Sequence, residues 1–351
     1  MKRFFLLSAM LLAAVSPAMA ANLADSLKKG TPAMKSAGAM AFGPDGVLFV
    51  ADPKGLEIFA IATGDTTAGK KAAIKVDGID GKIAAMLGTK ADGASIKDMK
   101  VNPVSGNVYL SVMRGTSPIL LKVDAAGAIT EVNMKDVPFS SVQLKKVKEG
   151  NARSEAITGI VFHKDKLYVA ALPSEEFASN LRTYSFPFEK GDDGITTEIF
   201  HGAHGKMETA SPVQSFMAIE IKGQTHILAG YTCTPLVKFP VESIKGGKAL
   251  RGTTVAELGN MNKPLDMISY TKDGKDYVLV ANSARGVMKV STEGIEKTDG
   301  ITMPVKGTAG LKYETIAALK GVMQLDKLDD THAVMVTKGD SGWNLVSIDL
   351  P

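Results

Sequence analysis

Four turns along the chain carry a basic residue directly before a glycine, and this pairing is the first candidate for chemistry. The glycine has a conformational reason, because it permits the left-handed backbone of a tight turn. The basic residue has no such reason, and an ammonium or guanidinium group at a turn can bind a carboxylate or a phosphate. The four pairs are Lys54-Gly55, Arg114-Gly115, Arg285-Gly286 and Lys338-Gly339.

A second candidate is the stretch His201-Gly-Ala-His204-Gly-Lys-Met207, the only metal-like spacing in the chain. Histidine and methionine bind copper in exported proteins, and the glycines would let the backbone wrap around an ion. Two histidines and one thioether are too few for a complete ligand set. The alternative is a loop between blades that happens to hold two histidines.

The basic turns recur because the chain is built from repeats. Each repeat has an apolar stretch, a turn, a second apolar stretch, a polar break and an alternating third stretch. Their composition and turns such as Pro44-Asp45-Gly46 predict antiparallel strands joined by hairpins. The six repeats cover 37–65, 96–132, 157–186, 216–241, 265–294 and 319–350.

With the candidate strands between the repeats, each unit holds about four strands over roughly 55 residues, which is typical of propeller blades. The sequence therefore predicts an all-β, six-bladed β-propeller, with a seventh blade in 66–93 or 133–152 as the alternative. The last repeat shows only three strands, so we expect the segment before residue 37 to supply the fourth and close the ring. The innermost strands are predicted near 38–43, 96–102, 157–163, 215–221, 265–271 and 317–325.

The first 20 residues have the pattern of a signal peptide. Lys2 and Arg3 precede an apolar stretch at 4–15, and Ala18-Met19-Ala20 resembles a cleavage site. We expect a single propeller domain over 21–351 in the periplasm or outside the cell, with no membrane insertion.

Charge and cysteine content exclude several classes of protein. The chain has 41 Lys and Arg against 37 Asp and Glu, without a block of one sign, which argues against nucleic-acid binding. The single Cys233 excludes an internal disulfide and a c-type haem attachment site. A Gly-x-Ser-x-Gly nucleophile motif is absent. We expect a monomer.

The phrases GPDGVLFVAD and KDYVLVANSARG resemble the repeat units of exported NHL-type and YVTN-type β-propellers. At the level of the repeat, the chain is also similar to the superfamily that includes gluconolactonase-like six-bladed propellers. This resemblance implies that the turns after the second strands lie on the ligand-binding face. It also implies a divalent cation over the channel, with Glu155, Asp266 and Asn282 in comparable positions. The chain departs from that family at Ser36-Ala37-Gly38, where the first blade would supply a glutamate.

The repeat symmetry predicts a ring of bases around the channel mouth, formed by the four turn residues and by Arg182 in a longer third turn. A concave rim of one sign attracts anions. Asp98, Glu155 and Asp266 would orient these bases or limit their field, and Asn282 would join the same site. The alternative is that the bases are ordinary solvated turn residues.

Three functions from different classes follow. The interpretation favoured by the rim is a non-enzymatic binding or scaffold protein for a small anionic molecule or an acidic protein, with no cofactor. The second is a lactonase-like hydrolase that depends on a divalent cation. The third is a redox accessory protein of a periplasmic dehydrogenase.

Overall fold

The computed structural model describes residues 23–145, 156–172, 179–188, 193–245, 249–340 and 342–351. The predicted signal peptide and Glu155 lie outside this part of the chain. Within it, no helix is long and apolar enough to cross a membrane.

Strands dominate the described residues, and one α-helix, α1 (Ile79–Met86), accompanies them. In chain order the strands are β1 (Lys28–Gly30), β2 (Met40–Phe42), β3 (Val47–Asp52), β4 (Glu57–Ala62), β5 (Lys75–Val76), β6 (Ala94–Val101), β7 (Val108–Arg114), β8 (Ser117–Val123), β9 (Ile129–Glu131), β10 (Val137–Gln143), β11 (Ile157–His163), β12 (Lys166–Ala171), β13 (Asn180–Ser185), β14 (Ile195–His201), β15 (Lys206–Glu208), β16 (Val213–Ile221), β17 (Gln224–Tyr231), β18 (Pro235–Pro240), β19 (Leu250–Arg251), β20 (Thr253–Glu257), β21 (Pro264–Lys272), β22 (Lys275–Asn282), β23 (Gly286–Ser291), β24 (Ala309–Gly310), β25 (Tyr313–Ile316), β26 (Val322–Lys327), β27 (His332–Gly339) and β28 (Gly342–Asp349).

These strands form six four-stranded antiparallel blades of a β-propeller, some with short additional edge strands. We number the blades by the order of their innermost strands, which are β2, β6, β11, β16, β21 and β26. All six lie where the repeat pattern predicts them, so the predicted fold class is confirmed.

The order of the blades around the ring differs from their order in the sequence. The innermost strands contact one another in the order β2, β11, β16, β21, β26 and β6, and β6 then returns to β2. Blade 2 therefore lies between blades 6 and 1. The two flanking blades are composite, because β10 completes blade 1 and β5 completes blade 6.

This arrangement corrects the predicted closure of the ring. The fourth strand of blade 6 comes from Lys75–Val76 and not from the segment before residue 37. That segment instead adds β1 to the outer edge of blade 1, paired with β10. The two proposed locations of a seventh blade are occupied by β5 with α1 and by β10. The sequence did not predict α1, whose Ile79 and Ile83 are buried.

Six apolar clusters fill the seams between neighbouring blades. Strand β3 shows how one strand serves two seams. Its Phe49 packs toward blade 3 in one cluster, whereas Leu48 and Val50 pack toward blade 2 in another. Because both faces are covered, the strand has an unbroken apolar sequence rather than an alternating one.

The polar end of β3 has a structural reason. Asp52 is fully buried, and its carboxylate accepts hydrogen bonds from Lys35 N (2.6 Å), Ser36 Oγ (2.6 Å) and Gly55 N (2.9 Å). It joins the segment that leads into blade 1 to the turn after β3. Burial of a carboxylate is tolerated because several donors satisfy it.

Ring closure by β5 predicts the effect of a charge on its inner face. Val76 is 3% exposed and pairs with Leu345, so Val76→Asp should lower the free energy of unfolding by about 3 kcal/mol or more, because it buries an unpaired carboxylate. Lys75→Gln, on the exposed face of the same strand, should change it by less than about 0.5 kcal/mol. Urea denaturation measures both variants, and equal midpoints would contradict the closure.

Candidate functional site

An axial channel of about 1140 Å³ runs between the innermost strands of all six blades. We define the upper mouth as the end formed by the starts of those strands and the turns after the second strands. Lys54, Lys97 and Lys263 line the channel at this mouth, near Gln214 and Thr232. The lower mouth is lined by Lys71, Pro103, Lys327, Asp329 and Asp330.

A cluster of one lysine and three aspartates lies in the channel wall on blades 2, 5 and 6. Lys100 Nζ is 3.4 Å from Asp266 Oδ2 and 3.8 Å from Asp98 Oδ1, and Asp326 acts on the same ammonium group through its charge. Only 20% of the Lys100 side chain is exposed. The cluster therefore holds three carboxylates around one largely buried cation.

Each carboxylate of this axial cluster also accepts a backbone N–H from the next blade. Asp266 accepts from Leu325 N (3.1 Å), Asp326 from Val101 N (2.7 Å) and Asp98 from Met40 N (2.6 Å). These bonds run in order from blade 5 through 6 and 2 to blade 1. The aspartates thus join the innermost strands at the three seams that surround blades 6 and 2.

Burial and mutual charge govern the protonation of the axial cluster. Burial raises the pKa of Asp98 to about 7, and the nearby Asp266 adds to this effect against the opposing influence of Lys100. Burial also raises the pKa of Asp326. Burial alone would lower the pKa of Lys100, but the three carboxylates outweigh it and raise that pKa above its usual range.

The structure places the five predicted rim bases in different surroundings. Lys54 is the one among them that lines the channel in the described part of the chain. Arg114 donates to Leu87 O (3.2 Å), and Arg285 donates to Asn260 O (3.0 Å). Lys338 is exposed but lies in β27, paired with Trp343 of β28, and not in the predicted turn.

Arg182 requires a correction. It does not lie in a turn but in β13, where it is 1% exposed and donates to Lys145 O (2.6 Å). The equivalent turn of the third repeat falls mostly on 173–178, outside the described residues. Lys97 and Lys263 were missed because they belong to the bulge and loop at the starts of β6 and β21, not to the basic-glycine turns.

The other predicted site residues, three acids and one asparagine, are also separated. Asp98 and Asp266 belong to the axial cluster, whereas Asn282 is buried at the end of β22. The Asn282 amide accepts from Asn262 Nδ2 (3.0 Å) and donates to Val280 O (3.2 Å). With Asp266 bonded to Lys100 and to backbone N–H groups, these two residues have protein partners of their own. Glu155 lies outside the described residues.

The His201-to-Met207 stretch forms the end of β14 and the hairpin into β15, beside blade 4. The structure brings His201 and His204 together, with 3.9 Å between their ring centroids. It adds Cys233, which the sequence analysis did not connect with them because it lies on another blade. A ligand atom from each of these three residues lies within 4.8 Å of the others. Met207 is partly buried in β15.

Comparison with known proteins supports no family assignment. No family model matches the chain, and no curated protein matches it. One similar solved structure is the PQQ-bound aldose sugar dehydrogenase of Streptomyces coelicolor, at 12% identity and a TM-score of 0.36, covering 92% of this chain and 96% of that one.

Two others are a putative oxidoreductase (glucose dehydrogenase) of Thermus thermophilus and the β-propeller domain of Myceliophthora thermophila Cps50 (Swd1). The first has 11% identity and a TM-score of 0.37, covering 92% of this chain and 99% of that one. The second has 8% identity and a TM-score of 0.40, covering 89% and 83%. Likenesses this distant carry no argument about function.

The raised pKa of Asp98 predicts how stability depends on pH. A group whose pKa is higher in the folded state stabilises the fold below its unfolded value, and this contribution is lost as pH rises through the folded value. Between about pH 4 and pH 7, the wild type should lose stability relative to Asp98→Asn, which cannot ionise. Urea denaturation across this range measures the difference, with the exposed Asp92→Asn as control. Parallel curves for wild type and Asp98→Asn would contradict the assignment.

Proposed function

We propose that the protein binds a small organic anion at the upper mouth of its axial channel. The observation that supports this proposal is the group of three lysines, Lys54, Lys97 and Lys263, on one concave opening. Among the described residues, no ion pair neutralises any of their ammonium groups. A concave surface with excess charge of one sign concentrates ions of the opposite sign.

The acids deeper in the channel do not cancel this charge. Asp98, Asp266 and Asp326 are occupied by Lys100 and by backbone N–H groups. Protonation of Asp98 near neutral pH reduces the negative charge below the mouth further. The uncompensated lysines therefore determine the sign of the field that a ligand meets first.

The polar groups between the lysines indicate the class of anion. Ser95, Thr158, Gln214 and Thr232 line the same end of the channel and offer hydroxyl and amide groups. This combination suits a hydroxylated carboxylate, such as a sugar acid, better than an apolar acid. Binding of this kind requires no chemical step, so the proposal is a binding protein rather than an enzyme.

The arginines at the basic-glycine turns remain candidates for a weaker, long-range contribution. The guanidinium groups of Arg114 and Arg285 already donate to backbone carbonyls, but they keep their charge. They would raise the local potential without contacting the ligand, and this effect would be screened by salt.

Two charge-matched double variants test the proposal. Lys97→Gln/Lys263→Gln should weaken gluconate binding by about 10-fold, because two direct charge-assisted contacts are lost. Arg114→Gln/Arg285→Gln removes the same net charge and should weaken binding less than about 2-fold at physiological salt. Isothermal titration with gluconate, succinate and glucose at two ionic strengths measures these effects. Equal affinities of the lysine variant and the wild type, or glucose binding as tight as gluconate binding, would overturn the proposal.

A further inference from the structure

The hairpin between β14 and β15 holds two histidines in an arrangement suited to metal binding. Glu208 holds both imidazoles through their Nδ1 atoms, with Oε2 2.8 Å from His201 Nδ1 and Oε1 2.7 Å from His204 Nδ1. When a carboxylate accepts a hydrogen bond from Nδ1–H of a neutral imidazole, the lone pair of that ring is on Nε2. One glutamate therefore fixes the same tautomer in both rings and leaves both Nε2 atoms able to bind a cation.

His201 Nε2 has no partner among the described residues, although it is buried. The residue is only 1% exposed, and an unpaired ring nitrogen at such a site carries a free-energy cost. A bound ion would satisfy this atom.

Cys233 supplies a third donor from the neighbouring blade. Its turn joins β17 to β18, and Thr232 in that turn lines the upper mouth of the channel. Cys233 and Thr234 both have left-handed backbones, with φ of 64° and 59°, which is unusual for non-glycine residues. This conformation is held by bonds from Cys233 N to Asn262 O (2.8 Å) and from Thr234 Oγ1 to Gly259 O (2.6 Å).

The loop around the two histidines is also fixed by its surroundings. Glu257 is buried and accepts from Gly202 N (2.5 Å), and a Cβ at Gly202 would lie 2.9 Å from Glu257 Oε1. Glycine therefore lets the loop pass close to this carboxylate without displacing it. Burial raises the pKa of Glu257 to about 7, and its Oε2 has no partner in the described structure.

We propose that His201, His204 and Cys233 bind one late first-row transition-metal ion, and that copper is the ion that this donor set favours. Two imidazoles and one thiolate suit copper and zinc and do not suit calcium or magnesium. The ion would reach the site from solvent beside His204 and Cys233. The His204 side chain is 47% exposed, and Cys233 is partly exposed.

Two exposed methionines lie in the loops that contact the Cys233 turn and the histidine loop. Met261 is 86% exposed and precedes Asn262, whose carbonyl accepts from Cys233 N. Met303 is 72% exposed, and its loop reaches the histidine loop through Val305 N and Gly202 O (2.9 Å). Thioethers are soft ligands that select copper, in particular its reduced form.

The first test is a titration of the full-length chain with Co²⁺ under anaerobic, reducing conditions. We expect one equivalent to bind and to produce a thiolate-to-metal charge-transfer band. Cys233→Ser should lose the band, because serine supplies no thiolate. Glu208→Gln should keep the band but weaken the affinity for the metal by about 10- to 100-fold, because the Glu208 carboxylate positions both ligand rings. His332→Gln, a histidine variant on blade 6, should bind as the wild type does.

The second test is competition between Cu⁺ and Zn²⁺, with the melting temperature of each variant measured without metal. We expect copper to displace zinc and the bound metal to raise the melting temperature of the wild type. Binding of less than one equivalent of metal, or a Cys233→Ser variant that is folded and binds as the wild type does, would overturn the site. Zinc retained in the presence of copper would overturn the copper assignment. Gluconate binding by the Cys233→Ser variant is measured separately, so that failure of the metal site can be distinguished from failure of the channel proposal.

Discussion

The contact between Lys100 and its three carboxylates is the polar interaction that connects the innermost strands around half of the axis. The apolar clusters join neighbouring blades at their seams, whereas the axis is an open channel lined by the innermost strands. At the seams between blades 5, 6, 2 and 1, aspartates that accept backbone N–H groups join these strands, and one lysine offsets part of their charge. Removing one partner of such a buried set commonly costs about 3–5 kcal/mol, since the remaining charges stay buried.

The opposite half of the axis is built differently. At the bulge that corresponds to Asp98 and Asp266, blades 3 and 4 have Gly159 and Ser215, and a Cβ at Gly159 would lie 2.9 Å from the Phe216 ring. The seam there is held by apolar contact. The charged half coincides with the part of the ring where blade order and sequence order differ. A buried carboxylate is satisfied only where its donors are correctly placed, whereas apolar side chains tolerate more than one register. The aspartates would therefore help to position blade 2 between the two composite blades.

The upper face brings two kinds of polar site close together. The turn after β17 contributes Thr232 to the channel mouth and Cys233 to the histidine cluster. Both sites therefore depend on the same short segment, whose left-handed backbone is held by Asn262 and Gly259. A ligand at either site would act on one rigid turn, which offers a direct physical route for coupling between them.

The repeat pattern was sufficient to predict the innermost strands, because strands covered on both faces have apolar sequences between marked turns. The closure of the ring by β5 could not be predicted, because β5 has only two residues and its pairing depends on the position of blade 6 in the ring. Arg182 was assigned to a longer third turn by alignment of the repeats, and its burial in β13 was not expected because arginine is rarely buried. Likewise, Cys233 is far from His201 in sequence, and only the packing of blade 3 against blade 4 brings them together.

The composite blades also constrain the order in which the chain can fold. Strand β5 lies early in the sequence, but it has no partner until β28 has been made. Ile74, the residue before β5, is bonded to Ser347 of β28, which lies 273 positions away. Blade 1 similarly waits for β10 while its first three strands are already complete. Contacts between such distant segments slow folding. A growing chain can therefore complete blade 1 once β10 has been made, whereas β5 keeps an unpaired edge and the ring stays open until β28 has been made.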